Sequence, residues 1–273
     1  MDSWDLTTGH LAGTIPVPAA DPRIVQWDRD EKNLLVTTGD DLAVVDVPAR
    51  RIRAKFAHGS MRPDGEAMAI PEKGAVTIAP IEGTSARLRL KLPRAYVNEL
   101  PTIAWSKDGT SIAAASERGA ILLLDAATGP VRAKLADDAP DTEVQALVFQ
   151  PGGGVLAALQ AVGRTPRVVL IDLHTRATSE IACAAAVPAR VGFSRDGGRI
   201  LVSCRDHADR SKSWIAVVDV ATQGPVAILP LPRSGSTPPG PHAPSFARFA
   251  AKRPRWLRPI SRRARGRGCW PSS

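Results

Sequence analysis

The chain has 273 residues, enough for one large domain with a sizeable core, and with only 4% aromatics that core must be built from Val, Leu, Ile and Ala. The net charge of +9 is a property of one end: residues 248–273 hold nine Arg or Lys and no acid, leaving 27 basic and 27 acidic residues in 1–247, so the main body is not a general polyanion binder. Three cysteines (Cys183, Cys204, Cys269) show neither metal-ligand spacing nor an even count, no apolar run reaches the length of a membrane span, and Met1–His10 lacks a signal-peptide pattern. These features predict a cytoplasmic protein, or a periplasmic one if the natural start lies upstream of Met1.

In chain order, the sequence begins within a repeat unit. Trp4-Asp5-Leu6-Thr7-Thr8-Gly9 matches Leu124-Asp125-Ala126-Ala127-Thr128-Gly129 further on, so residues 1–15 read as the outer two strands of a four-stranded unit. Residues 24–56 (around VQWDRDEKNLLVTTGDDLAVVDV) form the first full copy. Residues 58–92 form a degenerate second copy, in which Asp64-Gly65 keeps a turn and Pro80 replaces an aspartate. The clearest copy is 102–135, with four apolar stretches separated by turns that end in Gly109, Gly119 and Gly129. Stretches of about five residues between such turns are strands, and the glycines supply the positive φ of tight reversals. Copies follow at 145–182 and 190–229. An aspartate closes the third strand at Asp46, Asp125, Asp172 and Asp219, the last three spaced 47 residues apart. Asp108-Gly109 and Asp196-Gly197 mark the first turn, and Trp27, Trp105, Phe149 and Phe193 mark the first strand.

One four-stranded sheet cannot bury both of its apolar faces alone, and its copies must stack. Radial stacking gives an all-β fold, a β-propeller of four-stranded blades, with five full blades, one partial blade and an incomplete ring. Residues 1–250 are assigned to it. Residues 251–273 are a basic Arg- and Pro-rich tail, read as disordered or as out-of-frame translation because strand patterning stops where another strand should continue.

The motifs Trp105-Ser106-Lys107-Asp108-Gly109, Phe193-Ser194-Arg195-Asp196-Gly197 and Asp125…Thr128-Gly129 resemble those of the WD-repeat superfamily and its bacterial relatives, the YVTN-type and TolB-like propellers. Gly9-His10 is the one Gly-His pair in the sequence and the copies from residue 58 onward have none, which places the resemblance with the looser bacterial kind. The resemblance covers residues 1–230 and implies a binding platform; fold alone does not fix function.

Two segments imitate ligand-binding motifs. Gly152–Ala157 fits G-x-G-x-x-A, with Asp172 twenty residues on where a dinucleotide fold places its ribose acid. In the repeat register, however, Gly152-Gly153 is the first turn and Asp172 the third-strand aspartate, so the structural reading is preferred. Arg205-Asp206-His207-Ala208-Asp209-Arg210 offers one His and two Asp, a weak metal signal, and reads as a solvated loop.

The interaction candidates are two long second-to-third-strand loops, Gln160–Arg167 and Arg205–Ser213, in adjacent blades. They present Arg164, Arg167, Arg205, Asp206, His207, Asp209 and Arg210, flanked by Trp214. Mixed charge with Arg and Trp suits protein contact; length drift in unconstrained loops accounts for the feature equally well. No catalytic, cofactor-binding or metal residue is assigned. The expected function is a non-enzymatic platform for protein contact or sensing, part of a larger protein. The expected partner is another protein or a segment that completes the ring, with self-association through open strand edges. The rivals are a ligand-binding or lactonase-like enzyme with a site at the central channel, and a nucleic-acid binder using the Arg tail through phosphate contacts.

Overall fold

The computed structural model describes residues 2–4, 11–17, 24–83, 87–93, 100–116, 118–163, 165–181, 186–206, 209 and 211–231; the basic tail lies outside them. These residues form 22 strands and no helix. A two-stranded sheet comes first, β1 (Asp2–Trp4) with β2 (Leu11–Thr14). Blade 1 is β3 (Ile24–Trp27), β4 (Asn33–Thr38), β5 (Asp41–Asp46) and β6 (Arg51–Phe56). Blade 2 is β7 (Ser60–Met61), β8 (Ala67–Glu72), β9 (Ala75–Pro80) and β10 (Leu88–Lys91). Blade 3 is β11 (Thr102–Trp105), β12 (Ser111–Ala115), β13 (Ile121–Asp125) and β14 (Val131–Ala136). Blade 4 is β15 (Thr142–Phe149), β16 (Val155–Val162), β17 (Thr165–Asp172) and β18 (Thr178–Ile181). Blade 5 is β19 (Ala186–Phe193), β20 (Arg199–Asp206), β21 (Ser213–Asp219) and β22 (Pro225–Pro230). Each blade is an antiparallel meander in sequence order, and the five make the propeller that the repeat predicts. Val155–Val162 is a strand, so the dinucleotide reading of Gly152–Ala157 has no helix to stand on.

The register is set at the turns. Between the first and second strands of every blade, the same backbone bond closes the reversal: Glu31 N to Asp28 O, Gly65 N to Arg62 O, Gly109 N to Ser106 O, Gly153 N to Gln150 O and Gly197 N to Ser194 O. The donor residue has positive φ each time, at 58, 73, 72, 79 and 72°. Four of the five are glycine, which adopts that region without a Cβ penalty. Gly152 and Gly153 are therefore turn residues of blade 4.

The core lies between blades. Val44 and Leu35 of blade 1 pack with Met61 and Met68 of blade 2, and Leu90 of blade 2 packs with Trp105 and Leu124 of blade 3. The same arrangement joins blades 3 and 4 and blades 4 and 5. Second strands are covered on both faces, which is why they read as unbroken apolar runs: Ile112, Ala113, Ala114 and Ala115 are at most 1% exposed. Ile15, just after β2, packs on Leu34 and Val45 of blade 1. The first turns meet around the axis. Arg29 N donates to Pro63 O, Gln150 Nε2 donates to Gly197 O, and Arg195 of blade 5 lies 3.6 Å from Glu31 of blade 1.

Candidate interaction surface

Blades 4 and 5 are taller than the others. Their second and third strands run seven or eight residues, against five or six in blades 1–3, and their first strands run eight against two to four. The extra length falls at the end of the ring where second strands turn into third strands. In blade 4 Thr142 pairs with Val162 and Val162 with Thr165; in blade 5 Ala186 pairs with Asp206 and Arg205 with Ser213. Both first strands carry a register shift on entering the blade, between Val144 and Ala146 and between Pro188 and Arg190. Pro188 has no N–H to give, and such a shift is where a strand tolerates proline.

This corrects the expectation of a loop at Gln160–Arg167, which is the end of an extended hairpin. Arg167 lies in β17, where its Nη2 donates to Gln160 Oε1 at 3.3 Å and Nη1 sits 3.6 Å from Glu180; its buried Nε has no protein partner. Arg205 is exposed at the end of β20. Asp206 and Asp209 are engaged in shaping their own loop: Asp209 N donates to Asp206 Oδ1, Ser211 N to Asp209 Oδ1, and Lys212 pairs with Asp209 at 3.3 Å. Trp214 is half-buried against the core between blades 4 and 5, a packing role rather than a free anchor. Arg164, His207 and Arg210 lie outside the described residues. Among the described residues no three His, Cys, Asp or Glu side chains come together as a metal cluster, and no helix is long and apolar enough to cross a membrane.

The aspartates singled out in the sequence hold the opposite end of the ring. Asp108 accepts from Ser106 Oγ and Thr110 N, and Asp196 accepts from Ser194 Oγ and Gly198 N, and these bonds hold both carboxyls below the usual range. At the third-to-fourth-strand turns, Asp46 accepts from Ala49 N, Asp125 from Thr128 N, Asp172 from Thr175 N and Asp219 from Thr222 N. Asp125 is lowered most, first by Arg132, whose guanidinium grips it and also donates to Ser111 Oγ. Asp172 and Asp219 are lowered chiefly by the Thr175 and Thr222 backbone N–H groups. An open hollow of about 480 Å³ at this end is lined by Arg29, Lys107, Asp108, Arg132 and Phe149. Asp108 and Arg132 are occupied in the turn bonds just described.

Sequence reasoning missed the polar joint between blades 1 and 2. Arg53, with its side chain 9% exposed, donates to Asn33 Oδ1 and Gly65 O and pairs with Glu82 and Glu66. Asn33 in turn donates to the buried Asp28. A signal existed: Arg53 and Arg132 each stand seven residues after the third-strand aspartate.

No family model and no curated protein matches the chain. Solved structures do. The β-propeller domain of Cps50 (Swd1) from Myceliophteria thermophila is 17% identical, with a TM-score of 0.62, covering 84% of this chain and 79% of that one. A putative TolB from Agrobacterium tumefaciens is 15% identical, with a TM-score of 0.58 over 77% of this chain and 79% of that one. Hydrazine synthase from Kuenenia stuttgartiensis is 17% identical, with a TM-score of 0.57 over 82% and 70%. The chain thus has the β-propeller fold of the WD-repeat and TolB-like proteins. At these identities the likeness is one of fold.

Proposed function

We propose that this protein is a non-enzymatic β-propeller that binds another protein, with the raised half-rim of blades 4 and 5 as its recognition surface. The observation that carries this reading is the difference in strand length, which makes one half of the ring stand above the other. An extension built of paired strands is pre-organised, so little conformational entropy is lost when a partner docks on it. Its exposed side chains include Glu143, Thr165 and Arg205, a polar surface of mixed charge around the half-buried Trp214. The propeller neighbours, among them the Cps50 (Swd1) domain and TolB, agree with a platform role and say nothing about the partner.

Affinity capture from the source cells tests this with three baits: the wild-type chain, an R205E/E143K rim variant, and K107E at the opposite end of the ring. The expected result is a set of proteins retained by wild type and K107E and lost from the rim variant. Equal retention by all three, or equal loss from K107E, contradicts the assignment of the rim.

A further inference from the structure

We propose that the seam between blade 5 and the β1–β2 sheet is a docking site for a β-hairpin of another polypeptide, which completes that sheet as a four-stranded blade. The repeat shows what the seam should look like when filled. On blade 3 the forward face (Ala113, Ala115, Ile121, Leu135) is buried against blade 4, and on blade 4 the matching face (Ala157, Leu159, Val168, Ile181) is buried against blade 5. The same positions on blade 5 are Leu201, Ser203, Ile215 and Leu229. The first three are only half-buried and Leu229 is 49% exposed.

The other wall of the seam tells the same story. Trp27 and Trp105 occupy equivalent positions in blades 1 and 3. Trp105 is 7% exposed and its indole donates to Ser60 O on the first strand of the preceding blade, whereas Trp27 is 44% exposed. Beside the blade 1 wall lie β1 and β2, which take third- and fourth-strand positions. A Cβ on Gly13 of β2 would meet Arg50 at the blade 1 turn, just as a Cβ on Gly129 would meet Leu90 of the fourth strand before it. Among the described residues β1 pairs only with β2, and an added strand would join the sheet at the other edge of β1. Among the described residues no strand takes the first and second positions of this sheet.

The surface continues the four inter-blade interfaces in unbroken register, and they define the occupant. A second strand is apolar on both faces, as Ile112–Ala115 shows, and a first strand supplies the carbonyl that an indole N–H takes. The chemistry therefore points to a separate polypeptide carrying an apolar two-stranded segment. The Arg195–Glu31 pair spans the seam at the axis with side chains 88% and 63% exposed, a weak latch that an incoming hairpin separates easily. The site is the forward face of blade 5 rather than its raised end, and it stands independently of the rim reading.

The probe is a fluorescent peptide copying the inner hairpin of blade 3, residues 102–116, titrated into the full chain and read by anisotropy. Saturable binding is expected, weakened about tenfold or more by L229D or W27D, strengthened by E31Q, and unchanged by L88D on the outer strand of blade 2. Hydroxyl-radical footprinting of the same chain without peptide should label Trp27 and Leu229, with peptide protecting both. Absence of saturable binding overturns the proposal, as does equal loss in L88D. So does prior protection of Trp27 and Leu229 in the monomer, which would mean the chain's own residues fill the seam. A peptide-free dimer that protects them would assign the seam to a second copy instead.

Discussion

Each blade reverses direction at one end through a hydrogen-bonded turn and a residue of positive φ, and the choice of that residue separates cheap turns from strained ones. Gly109, at φ 72°, also lies close to Arg62, where an added Cβ would stand 3.3 Å from Cγ. Gly109→Val is expected to destabilise by about 1–3 kcal/mol, read from urea unfolding. The third-to-fourth-strand turn puts Arg50, Gly129, Arg176 and Gln223 at equivalent positions, with φ of 53, 93, 62 and 55°. Only one is glycine, so Arg176→Gly is expected to stabilise by about 0.5 kcal/mol, the relief of strain exceeding the added freedom of the unfolded chain. A drop in the unfolding midpoint would contradict this. Asp125→Ala removes the acceptor for Ala127 N and Thr128 N and the partner of Arg132, so its melting temperature should fall by several degrees. The carboxyls of Asp108, Asp125, Asp172, Asp196 and Asp219 are all held low in the folded protein. Their unfolded counterparts take up protons near pH 4. The stability they contribute is therefore complete above about pH 4 and is lost as pH falls toward their lower folded values. Urea midpoints should hold between pH 7 and 5 and decline below about pH 4; a flat profile down to pH 3 would remove these turns from the stability of the fold. The aspartates were legible in sequence because each has a fixed place in the repeat. The strained positions were not, since Arg50, Arg176 and Gln223 do not look like turn residues.

Among the elements, the second strands are the interior of the molecule and the fourth strands its rim. β12 is buried at every position, while every residue of β22 is exposed except the half-buried Ile228. Amide exchange should be slowest in β12 and β16 and fastest in β22, beyond the difference between β22 and β14, whose Leu135 is covered by blade 4. Comparable protection of β14 and β22 would show that the forward face of blade 5 is covered. The strands themselves were readable from short apolar runs between turn signals, but the length of the tall ones was not. Pro166 sits in β17 opposite Ala161, and Gly163 takes φ 59° at a tight reversal, so residues that commonly break strands lie here inside an extended hairpin. In blade 5 Pro188 masked the start of β19, because a proline at a register shift looks in sequence like the end of a strand. Gln160–Arg167 therefore reads as a loop in sequence where the structure has paired strand ends.

At the scale of the whole molecule, periodicity revealed the number of blades, because register constrains many positions at once: the 47-residue spacing and the aspartate and aromatic markers leave little choice of fold. What periodicity could not convey is how the two ends of the series meet, since that depends on contacts between residues far apart in sequence. The structure supplies one such contact. Glu31 and Arg195, in the first and fifth blades, approach to 3.6 Å only because the five sheets curve around a common axis. A chain carrying E31C and R195C, with its native cysteines replaced, should be joined by a short bismaleimide into a covalently closed loop within one molecule. Mass spectrometry of the purified monomer should find residues 31 and 195 linked in high yield. A monomer with no such link, while a control pair within one turn reacts fully, would show that the blades do not form a ring.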